Sequence, residues 1–351
     1  MKILVCAFEH SANVHLEALT KEFEGDVELI GVFNERLGKP IVDLRALAIM
    51  GVVDALKKLP FFLGLSKQLL NLVPEVDKVL LIDSSGFNLP FAKKVKKKYP
   101  DKEIIYYILP QAWAWKKKRI PILAETIDHL ASILPFEPAY YPKDAPIEYV
   151  GHPLLDEIPK LKTTRSIGNK IAFMPGSRKT EISKLMPHYI ALQKELQCEA
   201  FLIIPEHFAD KVEALYGDVS NFTIVHDAHK TLYECDFAFI CSGTATLEAV
   251  LIGTPFVLGY IAKKMDYFIG TKLLNINIEY IGLGNIMFKQ FQGRAMHPEL
   301  WQDDVSAETL LKAYKEMDKT QFFNDALQLR GYLKHGSSKR VAQIIEDKHE
   351  H

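Results

Sequence analysis

Val79-Leu80-Leu81-Ile82-Asp83-Ser84-Ser85-Gly86-Phe87-Asn88 decides the fold. Four aliphatic residues in a row end on an acid and a turn of small residues, the pattern of a strand buried on both faces that stops at a rim. Outward from it, short β-branched runs alternate with helical patterns at residues 2–7, 27–32, 76–83, 103–109 and 129–134. A second series starts at Lys170 with Ile171-Ala172-Phe173-Met174 and continues at 201–204, 222–225, 237–241 and 256–260. Strands alternating with helices predict parallel sheets covered by helices, and the restart predicts two α/β domains. Gly151-His152-Pro153, Pro159 and the polar stretch 160–169 have the composition of a linker. The expected boundaries are therefore 1–160 and 161–335, with a terminal segment, 336–351, whose helical pattern is free to pack back on the first domain or on the second.

Composition narrows the function classes. A chain of 351 residues is long enough for two domains, each with its own core. Hydrophobic residues at 48% and charged residues at 25% exclude a disordered or fibrous chain. The net charge of −1 comes with no basic domain and no recognisable reading module, so no nucleic-acid partner is expected. Cys6, Cys198, Cys235 and Cys241 match neither a metal knuckle nor a redox pair, which points to a reducing cytosol and to no metal. The apolar run at residues 1–7 stops at Glu9, too short for a signal peptide, and reads as a first strand. No stretch approaches the roughly 18 apolar residues of a spanning helix, so any membrane contact is expected to be peripheral.

In open parallel sheets ligands sit outside the carboxyl ends of the strands, where helix amino termini offer free N–H groups to anions. Three strand ends carry suitable chemistry. Asp83 is placed to act as a base or positioning group, or simply to cap the following turn. Pro175-Gly176-Ser177-Arg178, leading to Glu181, offers close backbone approach and a guanidinium for phosphate oxygens; a plain strand-to-helix turn with a solvated arginine has the same sequence. Cys241-Ser242-Gly243-Thr244-Ala245-Thr246-Leu247-Glu248 brings hydroxyls and N–H groups to a helix start, with Thr244 and Glu248 on one helical face. A carboxylate there suits two ribose hydroxyls, although Ser and Thr are also ordinary helix caps.

Ile82-Asp83 with Phe87-Asn88, Pro110-Gln111-Ala112-Trp113-Ala114-Trp115-Lys116 through Arg119-Ile120, Leu134-Pro135-Phe136-Glu137, Val150-Gly151-His152-Pro153, Pro175-Gly176-Ser177-Arg178 and Ser242-Gly243-Thr244-Ala245 with Leu247-Glu248 together resemble the lipid-A-disaccharide synthases. The likeness runs in order along most of the chain, and the Trp-Ala-Trp-basic and Leu-Pro-Phe-Glu segments are its specific part. It implies a GT-B glycosyltransferase: two Rossmann-like, doubly wound parallel-sheet domains facing a cleft, the first holding the acceptor and the second UDP. It further implies inverting transfer without metal or cofactor, from UDP-2,3-diacylglucosamine to the 6-hydroxyl of 2,3-diacylglucosamine 1-phosphate. By this resemblance Asp83 is the base and Arg178 the stabiliser of departing UDP, while Gly176, Ser177, Ser242, Gly243, Thr244 and Glu248 form the donor side. A homodimer is left open.

The first loop departs from that family. Where it has Gly-Glu-Ala-Ser-Gly-Asp, this chain reads Phe8-Glu9-His10-Ser11-Ala12-Asn13, and a second acid after the strand is here Gly86. Glu9, His10, Ser11 and Asn88 are the candidates for the acceptor side, and His10 either assists proton removal or is a surface residue. Because both implied substrates carry acyl chains, the region 50–73 is read as an interfacial amphipathic helix at the inner face of the cytoplasmic membrane, with Leu56, Phe61, Phe62 and Leu69 on its apolar side. A core helix broken at Pro60 fits the same pattern. Trp113 and Trp115 followed by Lys116-Lys117-Lys118-Arg119 suit an anionic lipid surface. The lysine-rich helix at 93–98 is more simply a solvated face. Two rivals share parts of this pattern. A UDP-sugar epimerase would need both donor-side turns but neither tryptophan, and a non-catalytic relative would not need Asp83 and Arg178.

Overall fold

The computed structural model of the protein describes residues 1–43, 59–241, 243–262 and 279–347. Leu56 and Ser242 lie outside the described residues, as does the side chain of Trp115. The chain divides into two compact units, residues 1–157 with 333–351 and residues 158–332.

Among the described residues the first unit is built on seven strands: β1 (Lys2–Ala7), β2 (Glu28–Phe33), β3 (Val42–Asp43), β4 (Lys78–Ile82), β5 (Ile104–Tyr107), β6 (His129–Ser132) and β7 (Ile147–Tyr149). Their order is β3-β2-β1-β4-β5-β6-β7, every pair parallel. The pleat of β1 separates two cores. Ile3, Val5 and Ala7 point to a layer containing Leu16, Leu19, Val341 and Ile345, whereas Leu4 and Cys6 point to Leu65, Leu69, Val95 and Leu123. Helices thus cover both faces, which is why β1 and β4 read as unbroken apolar runs. The helix Ser337–Glu346 is tied in by charge as well as by packing: Glu346 accepts from the N–H groups of Glu24 and Gly25, and Lys78 Nζ donates to the carbonyls of Ile344 (3.3 Å) and Asp347 (2.9 Å). A cation at that end complements the helix dipole.

The second unit holds β8 (Lys170–Met174), β9 (Glu199–Ile203), β10 (Thr223–Val225), β11 (Phe237–Ile240), β12 (Phe256–Tyr260) and β13 (Glu299–Trp301) in the order β10-β9-β8-β11-β12-β13, again all parallel. Its core gathers Phe173, Tyr189, Phe222 and Phe239 around the helix Lys179–Leu196.

In each sheet the order of strands reverses once, between β1 and β4 and between β8 and β11. Ala7 faces Ile82 in the first register and Met174 faces Ile240 in the second, so the loops after these strands emerge side by side. Those are the topological switch points at which such sheets bind ligands.

Tight ladder geometry leaves one glycine no substitute. Gly31 on β2 has φ +128°, and a Cβ there would stand 2.2 Å from the carbonyl oxygen of Val5, its partner on β1. Gly31→Ala is expected to cost about 3 kcal/mol or more of stability. Urea denaturation followed by far-UV circular dichroism measures this, and an unmoved midpoint would show that the β1–β2 ladder accommodates the methyl group.

Candidate active site

At the switch point of the first unit β4 ends on Asp83 and Ser84, both in the left-handed region with φ 51° and 44°. Neither is glycine, and each such residue costs on the order of 1–3 kcal/mol that its surroundings must hold. Those surroundings are visible. Tyr106 Oη donates to the Asp83 carbonyl at 2.6 Å, the Asp83 N–H donates to Tyr107 O at 3.2 Å, and Asn88 Nδ2 reaches the carbonyls of Asp83 (2.8 Å), Ile82 (3.2 Å) and Cys6 (3.4 Å). The turn presents the half-buried Asp83 carboxyl at the rim. Burial raises its pKa from the ordinary carboxylate value; a backbone bond from Ser84 and the nearby His15 act against that rise.

Asn88 corrects the sequence reading. It is fully buried and its amide hydrogens go to backbone carbonyls, so it clamps the turn and does not present its side chain to an acceptor. Glu9, His10 and Ser11 are exposed at the start of the helix His10–Thr20. Their loop is fixed by Asn13, whose Nδ2 donates to Ala7 O (2.9 Å) and Glu9 O (2.8 Å) while its Oδ1 accepts from Asn34 N (2.7 Å). The histidine whose charge acts to lower the Asp83 pKa is His15, one helical turn and more beyond His10, and its Nδ1 lies 2.5 Å from Glu157 Oε1. Nothing in the sequence links those two residues, which stand 142 positions apart.

The segments read as lipid-facing divide. Leu69 is fully buried in the core, because it lies on the inward side of the helix Leu59–Leu72 together with Leu65; it is not a lipid anchor. Phe61 and Phe62 are half-buried and reach the rim, where Phe62 and Phe87 meet Phe8 at ring distances of 6.2 and 4.5 Å. Leu63 is 54% exposed beside them. Trp113 is buried edge-to-face against Phe136, 5.0 Å between centroids, so it packs within the protein instead of standing out from it. Lys116 is exposed, whereas Arg119 donates to Ser85 Oγ at 3.0 Å and is held against the Asp83 turn. Glu137 of the Leu-Pro-Phe-Glu segment is buried, which pushes its pKa up to about 7, and it accepts from Ser132 Oγ at 2.6 Å.

The second switch point forms a cleft of about 360 Å³ lined by Gly176, Ser177, Arg178, Glu181, Ile204, His226, Gly243 and Thr244 among others. Gly176 and Gly243 have φ +98° and +99°, which lets backbone approach a ligand where a side chain would be strained. The helices Lys179–Leu196 and Thr244–Ile252 both begin here, and the first turn of a helix is where backbone N–H groups favour an anion. Arg178 is largely exposed, its Nη1 donating to Glu181 Oε1 at 2.8 Å, and that bond raises its pKa. Glu248 stands one turn into the second helix and faces His229 Nε2 at 3.7 Å, outside the residues that line this cleft. Among the described residues no cluster of three or more His, Cys, Asp or Glu side chains is arranged to hold a metal ion.

Two parallel α/β sheets, each doubly wound about a switch point, define the GT-B class of fold. Solved structures agree: MurG of Acinetobacter baumannii (TM-score 0.58, 13% identity, 98% of each chain covered) and the calicheamicin glycosyltransferase CalG4 (TM-score 0.61, 12% identity, 98% of this chain and 97% of the other) are similar throughout. So is a Methanocaldococcus jannaschii UDP-GlcNAc 2-epimerase solved with UDP-GlcNAc and UDP (TM-score 0.60, 13% identity, 98% and 99% covered), so the fold alone does not separate transferase from epimerase. Sequence does. The family model for lipid-A-disaccharide synthetase matches residues 3–342, and the chain belongs to that family of glycosyltransferases of lipid A biosynthesis. Proteins named lipid-A-disaccharide synthase are 50% identical in Helicobacter pylori strain ATCC 700392 / 26695 (97% of this chain, 96% of that one) and 43% identical in Campylobacter jejuni strain RM1221 (98% and 99%).

The raised pKa of Asp83 offers a test of whether this acid takes part in turnover. Were Asp83 to take a proton during turnover it would have to be ionised, and kcat/KM would then fall on acidification at a higher pH than an ordinary aspartate would give. His15→Gln removes a group that favours the charged form and is expected to move that acid limb to still higher pH. A pH series of kcat/KM for both proteins tests this; a limb that stays put or moves down in the variant would separate His15 from Asp83.

Proposed function

We propose that the protein transfers 2,3-diacylglucosamine from UDP-2,3-diacylglucosamine to the 6-hydroxyl of 2,3-diacylglucosamine 1-phosphate, with inversion and without a metal. The observation that carries the reading is the acid held in a strained turn at one switch point, in a chain whose other switch point is a glycine-rich, arginine-bearing cleft. The acceptor's 6-oxygen attacks the anomeric carbon from the face opposite UDP as the bond from that carbon to the diphosphate oxygen breaks. The hydroxyl proton passes to Asp83. The leaving diphosphate gathers negative charge, which Arg178 and the N–H groups of the two helix starts are placed to meet. Glu248 is proposed to take the ribose hydroxyls after turning from His229, with Ser177 and Thr244 on the phosphates.

Acyl chains on both substrates call for an apolar approach. Phe61, Phe62 and Leu63 with the exposed Lys116 support peripheral contact with the cytoplasmic face of the inner membrane, apolar insertion being aided by attraction to anionic lipid. No helix among the described residues is long and apolar enough to cross a membrane.

Incubation of the protein with both substrates in the presence of EDTA, read by mass spectrometry, is expected to give the β-1,6-linked disaccharide 1-phosphate and UDP; absence of that product would overturn the assignment. Asp83→Asn is expected to lower turnover by the roughly 10²- to 10⁴-fold typical of a lost general base while UDP affinity stays unchanged. Arg178→Ala is expected to lose about two to three orders of magnitude in kcat and kcat/KM alike, with partial recovery in Arg178→Lys, because an ammonium lacks the paired donors of a guanidinium. A raised KM at normal kcat would make Arg178 a ground-state binder. In vesicle sedimentation, Phe62→Ser combined with Leu63→Ser is expected to reduce binding to anionic lipid at all salt concentrations, and equal binding by parent and variant would place the contact elsewhere.

A further inference from the structure

Glu181 stands in the wall of the same cleft, and a carboxylate is an unexpected neighbour for a diphosphate. Its side chain is only 9% exposed. One oxygen accepts from Arg178 Nη1 at 2.8 Å, and the other accepts from the backbone N–H of Arg178 at 3.3 Å. The turn is shaped round it: a Cβ on Gly176 would stand 2.5 Å from Glu181 Oε2, so the glycine at φ +98° makes room for this carboxylate as well as for a ligand. Arg178, by contrast, is 75% exposed along its side chain. A long, exposed arginine without an anchor samples many rotamers, and each must be given up when it meets a charge. Pairing through Nη1 restrains the guanidinium, and among the described residues no hydrogen bond is seen from its other N–H groups.

We infer that Glu181 is a positioning residue for Arg178: it pre-aims the guanidinium at the charge that develops on the leaving diphosphate, and its own negative charge at the wall weakens binding of UDP in the ground state. The inference rests on the role proposed for Arg178. The trade is one an enzyme tolerates, since interactions made stronger in the transition state than in the ground state are those that raise kcat.

A double-mutant cycle separates positioning from mere helix capping. Glu181→Gln keeps an oxygen to accept the Arg178 backbone N–H but removes the charge. It is expected to lower kcat by about 10-fold, within the range of coupling seen between residues in contact, and to bind UDP at least as tightly as the parent in isothermal titration. In an Arg178→Ala background the same change is expected to alter kcat by less than about 2-fold, since the group it aims is gone. Equal losses of kcat in both backgrounds, or weaker UDP binding by Glu181→Gln, would overturn the inference. Should Glu181→Gln fail to fold by circular dichroism, Glu181→Asp provides the second cycle: it keeps the charge, shortens the reach, and is expected to lose kcat in the parent background alone. Near-normal turnover of Arg178→Ala by itself would instead strike the proposed role of Arg178, so the two failures remain distinct.

Discussion

When a parallel strand stops, its last carbonyls lose their ladder partners, and at the centre of a doubly wound sheet there is little water to replace them. At the first switch point that demand is met by a single buried amide. Asn88 Nδ2 reaches the carbonyls of Cys6 on β1 and of Ile82 and Asp83 at the end of β4. It joins the two strands across the point where their order reverses, and it does so from the first turns of the helix Ser85–Lys98, so strand, turn and helix are locked in one stroke. Tyr106 adds a bond to the same Asp83 carbonyl from β5. The left-handed pair Asp83–Ser84 persists because these bonds leave it no cheaper geometry.

The two candidate sites are held by opposite means. In the first, an acid is partly desolvated in a turn held by two tyrosines of β5 and by Asn88 of the following helix, and burial raises its pKa. In the second, the charged group is exposed and restrained by one carboxylate, while the rigid parts of the site are backbone: two glycine turns and two helix starts. A proton acceptor gains from a tuned environment. A contact to a leaving diphosphate gains from many directional donors and a guanidinium that can follow the charge.

Much of this was legible in the sequence because the strands that build the switch points are buried on both faces. β1, β4, β8 and β11 announce themselves as apolar runs, and the polar residues that follow them mark the rims. Three of the four edge strands did not: β3 is two residues long, and β7 and β13 carry acids in three-residue runs that no periodicity can separate from loop. Side-chain roles were harder still. Asn88 and Leu69 lie in segments whose exposed and buried faces are decided by tertiary packing, and a polar residue at a rim looks the same in sequence whether it meets a ligand or a carbonyl. His10 stood in the loop where a histidine was sought, whereas the charge that acts to lower the Asp83 pKa is that of His15, placed beside Glu157 by a contact that only the folded chain creates.

The first unit is discontinuous: its sheet is complete by Tyr149, but one of its two cores is finished by Val341, Ala342 and Ile345, which follow the whole of the second unit. During vectorial synthesis the amino-terminal sheet therefore waits with Ile3 and Val5 incompletely covered while about half the chain is still being made. Such exposed apolar surface is what chaperones recognise and what aggregates when they are scarce. The nascent protein passes through a stage at which its second unit can close independently but its first cannot, and truncation near the carboxyl terminus would recreate that stage permanently.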